Sequence, residues 1–409
     1  MGILLVYLIE SLHLIKVYLT ALKFKDALRL VLRTVILSNP LLPKFFVRPL
    51  LFRASRILLE PEKKLKDIGE VSICRYKDGA DGALCISIDY EPFPQILRSV
   101  RVERGLTERI PEASIEILRS SEKYNVPMSW GVLGVLALQD PSTFERIVAS
   151  KVKQDIGSHS FSHVIFNSPK CSGIVARAEL SKGINALKGI EHVTSFIFPN
   201  NKVNYLNLLR EHTFIAYRGD MVGKLAYPSK TEGLWDIHKT YYVHEKSIYE
   251  ISFILRLIDL AINYGCVFHL FFHPWNFSLD GSPRKFAKKV LELILNYATE
   301  KQKQKRLWIC TMRELANYCE ARENCRIKNI DKTEDKISFS AKCKISDPRF
   351  DFPPEVTLKV RVPRKVKITN VLDGEKELDR DKWHVAERFM ILSLSFEKPQ
   401  KEIRILIES

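Results

Sequence analysis

The chain has 409 residues, of which 46% are hydrophobic, so it can bury a large core and is not intrinsically disordered. Its formal net charge of +16 favours an anionic partner, but no zinc-finger, RNA-binding or helix-turn-helix motif accompanies the charge, so no nucleic acid is expected as a partner. The eight cysteines are scattered without a Cys-x-x-Cys pair, which indicates reduced thiols and a cytoplasmic protein.

Residues 1–70 are predicted to form a helical extension. In residues 1–60, apolar side chains recur at helical spacing among nine Lys or Arg and three acidic residues. No basic region precedes the first apolar run, as it does in a signal peptide, and Glu10, His13 and Lys16 interrupt a membrane span. Two interpretations stay open: the helices lie on the anionic inner surface of a membrane, or they pack on the rest of the protein. The basic bias favours the membrane.

The first strongly apolar strand ends in two acidic residues. Residues 83–91 are apolar and largely β-branched until Asp89 and Glu91, and prolines follow directly. Side chains alternate along a strand, so Asp89 and Glu91 share one face about 7 Å apart and Tyr90 points the other way. Both acids could be ordinary cap or loop residues. However, acids that end a buried strand are costly to desolvate, which favours a metal ligand and a proton acceptor.

Two histidines follow a later short strand. His159 and His163 are four residues apart, just after Gly157. If the segment after Gly157 is helical, both imidazoles lie on one face and can bind one metal ion together with a carboxylate. Such a site leaves one metal position open for water or substrate, as a hydrolytic centre requires. The alternative is a pair of ordinary surface histidines.

A third candidate histidine ends a later strand. Residues 265–273 are apolar and aromatic except for His269 and His273, and Pro274 closes the run. His273 is therefore expected at the same rim as Asp89, where it can act as a general acid. His269 lies about 13 Å deeper along the strand, so we expect a buried structural role for it.

Residues 324–409 change to short runs that alternate apolar and polar side chains. These runs are residues 337–341, 356–362, 366–371, 390–396 and 403–407. Period-two runs at short intervals predict a small accessory β-sandwich. Glycan binding, assembly and simple covering of the main domain all remain open for it.

Four motifs in this order resemble those of the polysaccharide deacetylases, the NodB-homology carbohydrate esterases. They are residues 87–91, 159–163, 196–201 and 269–275, and the resemblance spans roughly residues 80–318. The resemblance implies an α/β fold, a distorted (β/α) barrel of the NodB-homology type, which we place at residues 71–323. It also implies a divalent metal, usually zinc, and hydrolysis of an N-acetyl group from an amino sugar.

The resemblance assigns a role to each matching residue. Asp89 is the catalytic base, His159 and His163 are metal ligands, and His273 is the catalytic acid. In many relatives an aspartate binds the metal where this chain has Tyr90, so Glu91 is expected to take that function.

A second departure from the family pattern is the loss of a positive charge. Relatives with a Phe-Pro-Arg-Asn motif carry arginine where this chain has Asn200, and Arg218 is our candidate to replace that cation. We expect the substrate to contact Tyr90, Pro199, Asn200, Arg218 and Trp275.

These patterns together predict a metal-dependent carbohydrate N-deacetylase that acts on a glycan or a lipid-linked saccharide. We expect it in the cytoplasm, peripheral on the inner face of the membrane. Two alternatives remain: hydrolysis of another C–N bond, such as that of a cyclic amide, and a catalytically silent barrel that binds a glycan or a lipid headgroup.

Overall fold

The computed structural model describes residues 57–60, 69–92, 109–220, 222–243, 250–278, 282–363, 366–386 and 388–408. Most of the predicted helical extension at residues 1–70 lies outside these ranges, so its structure and its contact with a membrane remain predictions. Within that region the structure describes one strand, Ile57–Glu60. No helix in the described ranges combines the length and the apolar character that a membrane crossing requires.

A curled sheet of twelve strands forms the main domain within the described residues. In chain order its strands are β1 (Ile57–Glu60), β3 (Gly82–Tyr90), β4 (Ser129–Val132), β5 (Asp155–Ser158), β6 (Ser195–Ile197), β7 (Ala216–Arg218), β8 (Gly223–Ala226), β9 (Ser229–Thr231), β10 (Leu234–Asp236), β11 (Tyr241–Tyr242), β12 (Val267–Phe272) and β13 (Leu307–Cys310), while β2 (Val71–Ile73) belongs to another sheet. The spatial order is β1-β8-β12-β3-β4-β5-β6-β7-β10-β9, with β11 beside β12 and β13 beside β3. Strands β12 to β10 of this path are parallel, so their carboxyl ends form one rim.

Helices cover the outside of this sheet. They are α1 (Arg109–Tyr124), α2 (Gly134–Gln139), α3 (Pro141–Val148), α4 (Gly173–Ala186), α5 (Leu206–Glu211), α6 (Ile251–Tyr264), α7 (Trp275–Ser278), α8 (Ser282–Lys303) and α9 (Met312–Asn324). Local sequence accounts for several of their ends. Asp140 caps α3 by accepting from Thr143 N, Thr311 and Glu314 form a capping box on α9, and Gly265 ends α6 at a φ of 66°.

The strand β3 lies at the centre of the sheet, and all nine of its residues are buried. Its even-numbered side chains, such as Leu84 and Ile88, join the core beneath the helices. Its odd-numbered side chains face the barrel interior, where Ala83 and Cys85 pack with residues of α9. Further along β3, Ser87 and Asp89 bring polar groups to the rim. The apolar floor of the barrel therefore lies below a polar site.

Two antiparallel sheets form the C-terminal domain. Their strands are β14 (Cys325–Lys332), β15 (Lys336–Cys343), β16 (Glu355–Arg361), β17 (Lys367–Asp373), β18 (Lys376–Glu377), β19 (Trp383–Ala386), β20 (Phe389–Ser395) and β21 (Gln400–Glu408). Both sheets contribute to one apolar core, so the predicted small β-sandwich is confirmed, as is the distorted barrel. The strand β2, within the range predicted for the barrel, pairs with β16 of the sandwich. The domain bounds stay a prediction.

Candidate active site

The strand β3 delivers two carboxylates to the rim of the barrel. Asp89 and Glu91 both lie within ion-pair distance of the His273 imidazole, so they share one face, as the alternation along a strand predicts. Their residues are only 4% and 3% exposed. Two buried acids at this position require cationic or metal partners, and these come from three other segments of the chain.

Glu91, His159 and His163 form a cluster suited to one metal ion. Glu91 Oε2 lies 3.0 Å from His159 Nε2 and 2.5 Å from His163 Nε2. His159 Nδ1 lies 2.7 Å from the Ile197 carbonyl oxygen, which can only accept, so Nδ1 carries the proton. His159 Nε2 therefore faces Glu91 Oε2, and loss of the proton between them would free the Nε2 lone pair for a metal.

The donor set fits zinc or a similar divalent ion. Two imidazoles and one carboxylate are the ligands of many hydrolytic zinc centres, which keep a fourth position open. Ligand atoms around a tetrahedral ion lie roughly 3.3 Å apart, so Glu91 Oε2 needs to move from each of the two imidazole nitrogens by less than about 1 Å.

The segment that carries both histidines is not helical. Residues 159–163 form a loop in which Ser160 and His163 have φ angles of 67° and 65°, so the condition that this segment is helical is not met. The buried Glu179 of α4 accepts hydrogen bonds from the backbone amides of Phe161 and Ser162, which satisfies these amides without a helix.

A glycine lets α4 approach this loop closely. A Cβ at Gly183 would lie 3.0 Å from Ser158 Oγ and 3.1 Å from the Ser160 carbonyl carbon. The histidines therefore converge because α4 holds the loop, and the i and i+4 spacing alone does not place them.

His273 stands opposite the metal cluster. Its Nε2 lies 3.5 Å from Asp89 Oδ2 and 3.2 Å from Glu91 Oε1. The Trp275 ring stacks on the imidazole at a centroid distance of 3.8 Å and an angle of 16°. Within the described residues His273 Nδ1 has no hydrogen-bond partner. The ring is thus held by stacking, with Nε2 directed at the two carboxylates.

Arg218 binds Asp89 from the adjacent side of the barrel. Arg218 Nη2 donates to Asp89 Oδ2 over 2.6 Å, and Nη1 donates to Ser87 Oγ over 2.9 Å. Arg218 has no exposed surface, so it contacts Asp89 and does not reach solvent. Asp89 Oδ1 has no hydrogen-bond partner in the described part of the chain and remains available to accept a proton.

A neutral histidine completes this network below the site. His269 Nδ1 lies 3.0 Å from the Ile237 carbonyl oxygen and Nε2 lies 2.8 Å from Ser87 Oγ. Because Nδ1 must donate to the carbonyl, Nε2 accepts from the Ser87 hydroxyl. Burial, with the nearby Arg218 charge, lowers the pKa of His269 to about 3. A neutral His269 orients Ser87, and Ser87 in turn accepts from Arg218.

The charged groups of the site shift each other's pKa values. Burial opposes ionisation of Asp89, but the Arg218 charge, followed by His273 and His159, holds the pKa of Asp89 below its ordinary value. Burial also opposes ionisation of Glu91, yet its hydrogen bonds to the three histidines hold its pKa well below the ordinary value. Burial lowers the pKa of His159, but the hydrogen bond and charge of Glu91 outweigh this and raise it. Both carboxylates are therefore ionised at neutral pH.

The residues that the sequence predicted to contact the substrate do not all lie at the site. Tyr90 is fully buried on the opposite face of β3, where its hydroxyl donates to Asp140 Oδ2 over 3.0 Å, so it is not part of the cleft. Pro199 is buried and begins a short turn after β6, while Asn200 in that turn is exposed with a φ of 53°. Arg218 contacts Ser87 and Asp89 rather than open space. Trp275 is brought to the site, beside His273.

Sequence reasoning missed Ser87, the Ile197 carbonyl and Glu179, which orient Arg218, His159 and the histidine loop. Ser87 had a usable signal, because it is the next residue inward from Asp89 on the same strand face. Glu179 had none, since its function depends on the packing of α4 against the loop.

Comparisons with known proteins concern the fold. No protein-family model matches this chain, and no curated protein matches it significantly. Solved structures similar to it include proteins described as polysaccharide deacetylases from Mycobacterium smegmatis (18% identity, TM-score 0.47, 60% of this chain and 92% of that chain) and Pseudomonas aeruginosa PAO1 (14%, 0.48, 60% and 93%). An allantoinase is similar at 13% identity and a TM-score of 0.46, over 60% of this chain and 92% of that chain. Because each TM-score lies below 0.5, the assignment of the site rests on the geometry of this chain.

Proposed function

We propose that this protein is a metal-dependent hydrolase that removes an N-acetyl group from an amino sugar. The observation that supports this most directly is the convergence of Glu91, His159 and His163 within 4.8 Å of one another, beside the Asp89 and His273 pair. Three metal-ligating side chains, a base and an acid at one rim are the parts that amide hydrolysis requires.

Glu91, His159 and His163 would hold the metal. A divalent ion bound there supplies Lewis acidity, which makes water more acidic and an acyl carbonyl more electrophilic. The proton that Glu91 shares with the two imidazoles must leave when the ion binds, because metal ligands must be deprotonated. Metal uptake should therefore weaken as the pH falls.

Asp89 and His273 divide the proton transfers between them. Asp89 is ionised and has a buried oxygen without a hydrogen-bond partner among the described residues, so it can accept the proton of the attacking water. His273 Nε2 faces the same space and can donate a proton to the departing amine. Arg218 touches Asp89 and acts through it, so it is a positioning residue. Asp89→Asn should abolish turnover and leave metal content unchanged.

The substrate class follows from the resemblance of the four sequence motifs together with this site. An N-acetylated saccharide, in a glycan or linked to a lipid, is the proposed substrate. Zinc is the proposed metal. The basic N-terminal segment and the net charge of +16 motivate the further proposal of a cytoplasmic protein held at the inner membrane surface.

The first test is metal content. Freshly purified protein is compared by elemental analysis with His163→Ala and with His192→Ala, which alters an exposed histidine away from the site. One equivalent of metal in the parent and in His192→Ala, with a marked loss in His163→Ala, supports the proposal. Acetate release from N-acetylated oligosaccharides then tests the reaction.

The outcomes separate the alternatives. Metal without acetate release, but with ammonia or ring opening from cyclic amides, favours hydrolysis of another C–N bond. Absence of metal in all three proteins after reconstitution favours a silent binding barrel and rejects the hydrolase.

A further inference from the structure

A lysine stands at the rim of the barrel beside the proposed site. Lys239 follows β10, and the alternation of that strand places Trp235 and Ile237 in the barrel interior. The Ile237 carbonyl accepts from His269 Nδ1, which places the segment after β10 beside β12. Lys239 lies in that segment, three residues after the end of β10, and it is half-buried.

Lys239 and Arg218 approach the same aromatic ring. Lys239 Nζ lies 5.6 Å from the Phe271 centroid, and the Arg218 guanidinium carbon lies 4.4 Å from it. Phe271 belongs to β12, two residues before His273 on the same face. Two cations therefore approach one ring close to the site.

The two carboxylates near Lys239 already have cationic partners. Asp89 is bound by Arg218, and Asp220 pairs with Lys224 at 3.6 Å. Within the described residues no carboxylate lies within ion-pair distance of Lys239. The effective charge near Lys239 is thus positive, and an added anion would be favourable there.

The pKa of Lys239 agrees with a position at which no carboxylate compensates its charge. Burial lowers its pKa to about 8, and the Arg218 charge acts in the same direction, whereas Asp220 and Asp89 oppose it. Lys202, in the chain after the Pro199–Asn201 turn, is close enough to lower that pKa slightly as well. At neutral pH Lys239 is still largely protonated.

We infer that Lys239 forms a subsite for an anionic group on the substrate, a carboxylate or a phosphate carried by the saccharide that enters the site. This inference rests on the proposed function and narrows its substrate class to acidic or phosphorylated amino sugars. The anion would bind at Lys239, while the acetamido group reaches Asp89 and His273.

The test compares neutral and charged probes that share one sugar. N-acetylglucosamine, its 1-phosphate, its 6-phosphate and N-acetylmuramic acid are offered to the metal-loaded protein. Acetate release gives kcat and KM, and calorimetry gives Kd. The two phosphates and the carboxylate separate the two sources of charge. The parent should prefer at least one charged probe by about tenfold or more, the value of a charge-assisted hydrogen bond.

Variants assign that preference to Lys239. Lys239→Met should reduce the ratio of kcat/KM for the charged probe over the neutral one by about tenfold, mainly through KM. Lys239→Arg should keep the ratio. Lys153→Met removes an exposed lysine just before β5, at the end of the barrel opposite the rim, and it should leave the ratio as in the parent. In the parent the ratio should fall as the pH rises through about 8, while Lys239→Arg keeps it.

Two results would overturn the inference. One is a parent with no preference for any charged probe in either kinetics or calorimetry. The other is a preference that Lys239→Met and Lys153→Met reduce equally, which indicates general surface charge. Lys239→Gln replaces Lys239→Met if the latter unfolds. Charge-dependent binding without acetate release rejects the proposed reaction and keeps the subsite, whereas release without charge preference does the reverse.

Discussion

Arg218 and Asp89 stand 129 positions apart in the chain, yet Arg218 Nη2 donates to Asp89 Oδ2 over 2.6 Å in the barrel interior. The strand β7 supplies this cation, whereas the turn after β6 carries the exposed Asn200. The sequence suggested that Arg218 replaces the arginine that relatives carry where this chain has Asn200. The contact of Arg218 with the ionised Asp89 is compatible with that suggestion. The predictions below follow from this site and its surroundings.

Removal of the Arg218 charge should impair the positioning and the ionisation of Asp89. For Arg218→Met we expect kcat/KM to fall on the order of a hundredfold, as for the loss of one electrostatic donor. The pKa of Asp89 should rise without the cation, so the acidic limb of the pH profile should move to higher pH. Arg218→Lys should recover part of both effects. A merely structural role would lower activity without moving the limb, and unchanged metal content confirms that the ligands remain.

Metal should stabilise the folded protein through Glu91, His159 and His163. At a free zinc concentration a hundred times the Kd, the gain in unfolding free energy is about 2.7 kcal/mol, which should appear as a higher Tm in thermal scans. Glu91 raises the pKa of His159, so a proton competes with zinc and the gain should be smaller at pH 5 than at pH 8. His159→Ala should show no gain, and His192→Ala should match the parent. An equal Tm rise in His159→Ala would contradict the assigned ligands.

Acid should destabilise the fold through His269. Its pKa is about 3 in the folded protein against an ordinary 6.5, so the unfolded chain binds the extra proton first. The stabilising contribution is complete above pH 6.5 and is lost progressively as the pH falls toward 3, at up to about 1.4 kcal/mol per pH unit. His269→Gln cannot take up this proton. Urea unfolding between pH 6.5 and 4 should therefore give a shallower slope for His269→Gln, and identical slopes would refute this account.

Tyr90 should matter for stability and not for catalysis. Tyr90→Phe removes the hydrogen bond from its hydroxyl to Asp140 Oδ2, which should lower the free energy of unfolding by about 1 kcal/mol. Because the ring lies on the outer face of β3, kcat and KM should stay as in the parent. Trp275→Leu is the contrasting variant, since it removes the ring stacked on His273 and should lower kcat. A changed KM in Tyr90→Phe would return that residue to the substrate site.

The sequence by itself determined the features that depend on local periodicity. Alternation along one strand placed Asp89 and Glu91 on the same face, because successive side chains of a strand point in opposite directions. Prolines and apolar runs located the strand ends at which Glu91 and His273 meet. The period-two pattern after residue 324 predicted the β-sandwich for the same reason.

Only the tertiary structure decided which distant groups meet. Strand order and register bring Arg218 to Asp89 and Lys239 to Phe271, and neither follows from spacing along the chain. Glu179 of α4 accepts hydrogen bonds from backbone amides of the loop that carries His159. The sequence of the loop alone does not indicate this partner. Local patterns specify the direction of a side chain, whereas its partners depend on how separate elements pack, because most contacts of a buried polar group join residues far apart in sequence.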